Sequence, residues 1–99
     1  MISPTEESVD SVYYGEPGMS IAPVPATSQF NIIYKTLQSG NAVIIILDEL
    51  GNQVMQKTTP VAVGKNNFNM NIGQLPNGIY FVKLSDGKNI FVKKLVVQK

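Results

Sequence analysis

Cysteine, histidine, tryptophan and arginine are all absent from this 99-residue chain. Without cysteine or histidine there is no thiol nucleophile, no disulfide staple, no imidazole base and no ordinary zinc or haem ligand set. The lack of thiols fits either redox compartment. The eight basic residues are all lysines and are set against seven acidic ones. A nucleic-acid binder needs a basic excess, and arginine for bidentate contacts, so that class is disfavoured. Long apolar runs are missing too. The longest, Ala42 to Leu47, has six residues, where a membrane-spanning helix needs roughly 20. The N-terminus has neither the charged stretch nor the apolar stretch of a signal peptide. The chain is therefore expected to be either intracellular or a fragment of a longer protein.

What is present is β-forming sequence. A chain of this length makes one domain and buries roughly 60–65 % of its unfolded surface, enough for one modest core. The first twenty residues are of different composition. They hold Glu6, Glu7, Asp10 and Glu16 with no basic residue, plus Pro4, Pro17, Gly15 and Gly18. Residues 1–20 read as a linker or the end of a preceding cargo region, the alternative being an edge strand around Val12–Tyr14. Residues 21–99 read as the folded domain.

The prolines of Ile21-Ala22-Pro23-Val24-Pro25 impose an extended chain. Phe30, Ile32 and Tyr34 then point one way, and Ala42–Leu47 reads as a strand with both faces, or one and a half, covered. Asp48-Glu49-Leu50-Gly51-Asn52 is a turn in which Gly51 and Asn52 tolerate positive φ. Pro60 ends the next strand or places it at a sheet edge. Phe68, Met70 and Ile72 alternate with Asn67, Asn69 and Asn71, which predicts a strand with one wet face.

Leu75 to Lys99 closes the chain with a Pro-led turn, a strand carrying Tyr80, Val82 and Leu84 on one face, the hairpin signal Asp86-Gly87, and a last strand of alternating apolar and lysine residues. Asn77-Gly78 is expected to take the positive φ of the first turn. Ile79, Phe81 and Phe91 are expected on the face away from Tyr80. No window of ten residues has helical periodicity. Six to seven short strands at this spacing predict an all-β, Ig-like antiparallel β-sandwich.

Catalysis finds no support in the sequence. Asp48 and Glu49 are adjacent and so point to opposite faces of a strand. Ser28 and Ser39 have no histidine to activate them, and Lys93-Lys94 reads as a solvated edge that discourages strand pairing. Gly40, Gly51, Gly64 and Gly87 are spaced as turns rather than as a phosphate loop. The expectation is a recognition domain, not an enzyme, with no cofactor, no metal and no nucleic-acid partner.

Three motifs sharpen this. Pro23-Val24-Pro25-Ala26-Thr27, Asp48-x-x-Gly51-x-x-Val54, and Leu75-x-x-Gly78-x-Tyr80 with the lysine-rich ending Val92–Lys99 together resemble the C-terminal sorting domain of the type IX secretion system of Bacteroidetes, the Por secretion tail family. The resemblance covers about residues 21–99, with Val24 standing where the family's first motif has Asn. It implies a sorting signal that directs an N-terminal cargo, by way of the periplasm, to the cell surface or the medium. The implied partners are the outer-membrane translocon and a sortase-like peptidase that cuts ahead of Pro23. Pro23, Pro25, Gly51, Leu75, Gly78 and Tyr80 are the structural motif residues. Lys93, Lys94, Leu95, Val96, Val97, Gln98 and Lys99 are the stretch expected to be read by the translocon. Edge strands leave room for a homodimer. The alternative reading is a free-standing Ig-like binding or adhesion module of a secreted Bacteroidetes protein.

Overall fold

A computed structural model describes residues 18–99. Seven strands run β1 Gly18–Ala22, β2 Gln29–Thr36, β3 Gly40–Asp48, β4 Gln53–Val61, β5 Gly64–Asn71, β6 Gly78–Ser85 and β7 Ile90–Val97, with no helix among the described residues. Every strand pairing is antiparallel, in a three-stranded sheet ordered β1-β2-β5 and a four-stranded sheet ordered β4-β3-β6-β7. The expected sandwich is the fold. Its first strand starts three residues ahead of Ile21; the edge strand considered for Val12–Tyr14 lies outside the described residues.

Side-chain alternation decides what faces inward. Phe30, Ile32, Tyr34 and Thr36 of β2, Ala42, Ile44 and Ile46 of β3, and Tyr80, Val82 and Leu84 of β6 are all buried between the sheets. Met70 of β5, with Leu95 and Val97 of β7, completes the core from the flanks. A period-two pattern with one apolar set per strand leaves no other register, since a one-residue slip would turn that set to water. β3 is the exception: Val43, Ile45 and Leu47 are half-buried on the outer side, so the apolar run covers its inner face fully and its outer face partly. β4 is an edge strand, which suits Pro60 with no N–H to pair, and at its other end, opposite Ile46 and Leu47, it bulges against β3.

The turns hold two differences from expectation. Gly51 takes a left-handed φ of 88° but Asn52 does not; among the described residues only glycines have positive φ. At the corner before β6 the hydrogen bond runs from Leu75 N–H to the Ile72 carbonyl, so the tight turn falls at Gly73-Gln74. Gly78 itself opens β6 with φ 159°, close to extended, rather than forming the second half of a Pro-Asn-Gly turn. The proline stretch is straight only to Ala22. The Ala22-Pro23 and Val24-Pro25 peptide bonds are cis, and the chain bends through Pro23–Pro25 before Ala26 bridges to Val97.

Candidate interaction surface

The β6–β7 hairpin is fixed to the body at both ends. Its four-residue turn centres on Asp86. One carboxylate oxygen accepts the N–H groups of Lys88 (2.9 Å) and Asn89 (2.7 Å), and the other accepts the hydroxyl of Tyr34 from the opposite sheet. Burial alone would raise the Asp86 pKa, but these donors outweigh it and hold the carboxyl below its usual value of 3.8. The Tyr34 hydroxyl moves the other way, pushed up to about 12, first by burial and then by the carboxylate beside it. The Tyr34 ring meets Phe91 of β7 with centroids 5.8 Å apart and planes tilted by 59°.

The other end of the hairpin rests on the Leu-x-x-Gly-x-Tyr motif. Leu75 is buried, and the buried Tyr80 donates its hydroxyl to the Pro76 carbonyl four residues back at 2.7 Å, the geometry of a tyrosine corner. Lys99 is tied to the same loop, its N–H to Asn77 Oδ1 (2.9 Å) and its ammonium to the Gly73 carbonyl (2.6 Å). The Asp48 motif has an equally local cause. The carboxylate caps its own turn by accepting the N–H groups of Leu50 and Asn52, each at 2.9 Å, while Gly51 supplies the left-handed residue. The Asn52 backbone contact is the leading reason the Asp48 carboxyl sits below its ordinary range. Asp48 therefore shapes a turn and is not one half of an acid/base pair with Glu49.

β7 is, with β4, an edge strand of the four-stranded sheet, and its free edge is divided. Ala26 N–H bonds the Val96 carbonyl at 2.8 Å and Gln98 N–H bonds the Ala26 carbonyl at 2.9 Å, a short parallel clamp at the end of the strand. In an antiparallel ladder N–H and C=O alternate in pairs between the two sides of a strand. Since Val96 and Gln98 face Ala26, Ile90, Val92 and Lys94 present their backbone groups to the same side. Among the described residues β1 packs near β7, but only Ala26 forms backbone hydrogen bonds on that side, so the N–H and C=O groups of Ile90, Val92 and Lys94 are unpaired there.

The outer face beside this edge is apolar. Register places Ile79 opposite Val96, Phe81 between Leu47 and Lys94, and Lys83 between Ile45 and Val92. Ile90 and Val92 are 61 % and 54 % exposed, and Ile45, Leu47, Ile79, Phe81 and Val96 are half-exposed around them. The only charged side chains that β3, β6 and β7 place on this face are Lys83 and Lys94. Contiguous apolar sheet surface of this kind is what interaction sites are made of.

The residues singled out from sequence divide across the strand. Leu95 and Val97 are in the core, and Val96 and Lys94 point outward. Lys93 is exposed on the inner side beyond the core, Gln98 is exposed at the clamp, and Lys99 is tethered to the Gly73–Asn77 loop. Ile79 and Phe81 lie on the face away from Tyr80 as expected. Phe91 does not: it pairs with Leu84 and shares the inner face with Tyr80, because odd residues of β7 oppose even residues of β6. Ile90, Val92 and the Ala26 clamp were missed. The alternation of Ile90, Val92 and Lys94 was the available signal for the first two, but nothing in the sequence pairs Ala26 with the far end of the chain. Three hollows on the described surface measure about 220 Å³ beside β1 and about 190 Å³ each at the Asp48 and Asp86 turns. Each is smaller than the roughly 300–1,000 Å³ of a ligand pocket.

The described chain is thus a small Ig-like sandwich with an anchored terminal hairpin and a lysine-bearing apolar face across β3, β6 and β7. The family is now definite: residues 20–98 match the secretion system C-terminal sorting domain, and the chain belongs to that family, whose members carry type IX sorting signals. No curated protein matches the chain.

Proposed function

We propose that the chain directs a cargo protein attached at its N-terminal side through the type IX machinery to the cell surface or the medium, passing the periplasm on the way. The family match over residues 20–98 carries this reading. All three motifs behind it hold structural posts in the sandwich. Pro23–Pro25 lead to the Ala26 clamp, Asp48–Gly51 turns β3 into β4, and Leu75, Gly78 and Tyr80 seat the hairpin.

In this reading the outer-membrane translocon recognises the terminal strand from Lys93 to Lys99. Leu95 and Val97 serve by holding the strand in the core, and Lys93, Lys94 and Val96 serve by contact. A sortase-like peptidase cuts on the N-terminal side of the sandwich, ahead of Pro23. The chain does no chemistry of its own and uses no cofactor. Lysines along β7 disfavour a homodimer built on that edge, which leaves, among the described strands, the edges at β1, β4 and β5 for any pairing of copies.

The test is a reporter bearing a signal peptide, with the full chain fused behind it, expressed in a Bacteroidetes host with the type IX system. Surface display is expected. A reporter held in the periplasm contradicts the reading, and so does display that survives deletion of Lys93–Lys99. A free-standing adhesion module would give no display of a fused cargo.

A further inference from the structure

The open edge and the charge of the terminal hairpin specify what fits there. β6 and β7 with their turn carry Lys83, Lys88, Lys93 and Lys94 against the single carboxylate of Asp86, which is already engaged by Tyr34 and two backbone N–H groups. Next to them Ile90, Val92 and Lys94 offer unpaired N–H and C=O groups over a length of three outward residues, ending where the Ala26 clamp begins. An extended segment laid antiparallel along this edge would make two backbone hydrogen bonds at each of the three residues. Its side chains would then continue the outer face, opposite Ile90, Val92 and Lys94.

A second copy is a poor occupant. Paired about Val92 it would satisfy the backbone, yet it would bring two lysine-rich hairpins side by side, and like charges in adjacent strands destabilise the pairing. We propose that the Ile90–Lys94 edge of β7 takes up an extended acidic segment of a partner protein as a fifth strand. Apolar side chains of that segment lie over Val92 and Ile90, and its carboxylates lie against Lys94 and Lys83. This rests on the sorting reading and deepens it, by naming the chemistry that a component of the export machinery presents to the signal.

Val92→Pro separates this role from the fold. The Val92 N–H faces away from β6, so proline there removes no ladder hydrogen bond, and edge positions tolerate it. The probe is the blocked seven-residue peptide Thr-Glu-Thr-Val-Thr-Val-Thr, whose glutamate and two valines share one face and meet Lys94, Val92 and Ile90 in that order when it lies antiparallel, added to the full chain at low salt. Amide exchange is followed by NMR at Ile90 and Lys94 in all proteins and at Val92 where it is retained.

The glutamate peptide is expected to slow exchange at those amides by about tenfold or more, and both Val92→Pro and Lys94→Glu to weaken its binding by about tenfold, a change of roughly 1.4 kcal/mol. The same peptide with lysine for glutamate is expected to do nothing. Four results would overturn the proposal. They are no protection; equal protection by the lysine peptide; protection without peptide in the monomer, meaning that the chain covers its own edge; and protection without peptide that grows with protein concentration, meaning that a second copy does. Unchanged melting of Lys94→Glu certifies the fold if Val92→Pro disturbs it. Failure here with intact surface display of the reporter would remove the strand-addition step and leave the sorting reading standing.

Discussion

The outer faces of the two sheets stand on one core and have opposite chemistry. On the three-stranded sheet, Gln29, Asn31, Asn67, Asn69 and Asn71 are exposed, and the Asn69 side-chain amide donates to Asn31 Oδ1 across the strands at 3.1 Å. On the four-stranded sheet, β3, β6 and β7 place Ile45, Leu47, Ile79, Phe81, Val92 and Val96 outward, with Lys83 and Lys94 among them, and only the edge strand β4 is polar there, through Gln56 and Thr58. The inner faces demand apolar residues of both sheets alike, because burial of an aliphatic side chain stabilises by roughly 1.5–3 kcal/mol. The fold demands nothing of the outer faces. A polar outer face is therefore the ordinary result and an apolar one requires a reason outside the fold. The difference is the ground for proposing the β3–β6–β7 side of the four-stranded sheet as the side that meets a partner.

The comparison breaks first at the core. Tyr80→Ala is expected to cost about 3–5 kcal/mol, a large share of the stability of a small domain, measured by urea denaturation. Tyr80→Phe loses only the bond to Pro76 and is expected to cost about 1 kcal/mol. Neighbouring residues of β7 give the sharpest contrast. Leu95→Ala is expected to cost about 2–5 kcal/mol, because a buried leucine leaves a cavity, whereas Val92→Thr on the outer side is expected within about 0.5 kcal/mol of the parent. Equal costs would mean that the outer face is structural after all.

The Tyr34–Asp86 pair gives a pH signature for the join between the sheets. The Asp86 carboxyl is held below 3.8, so its contribution is present above that value and is lost as pH falls through the lower folded value. The Tyr34 hydroxyl is raised from 10.0 to about 12, so its contribution is complete below pH 10 and is lost as pH rises through about 12. Thermal melting is expected to be flat between these windows and to fall on both sides. Tyr34→Phe should remove the alkaline limb due to this residue and shrink the acid one. An unchanged profile would show that the hairpin is held by packing alone.

Much of this was legible in the sequence because the signals are local. Phe30-x-Ile32-x-Tyr34 and Tyr80-x-Val82-x-Leu84 each name their buried face by alternation, and Asp86-Gly87 marks the hairpin. The motif turns could be placed but not drawn. Whether Asn77-Gly78 or Gly73-Gln74 forms the tight corner depends on where Leu75 is buried and what the Tyr80 hydroxyl reaches, which are tertiary facts. The surface was less legible. Lys93–Lys99 reads as one stretch along the chain, but strand geometry sends Leu95 and Val97 inward and Lys94 and Val96 outward, while Ala26 and the Gly73–Asn77 loop secure the end. Long-range pairings such as Ala26 with Val97 and Tyr34 with Asp86 leave no mark within a short window of sequence.

The central claim is that export reads the lysine-bearing outer face beside β7 and not the sandwich as such. Lys94→Glu and Lys65→Glu make the same charge change on the two sheets, both at exposed positions, Lys94 on the apolar face and Lys65 on the asparagine-rich sheet. With melting temperatures matched, surface display of the fused reporter is expected to fall about tenfold or more for Lys94→Glu, the loss of roughly one charged contact, and to stay at the parental level for Lys65→Glu. Equal display of the two variants, at any level, would contradict the claim.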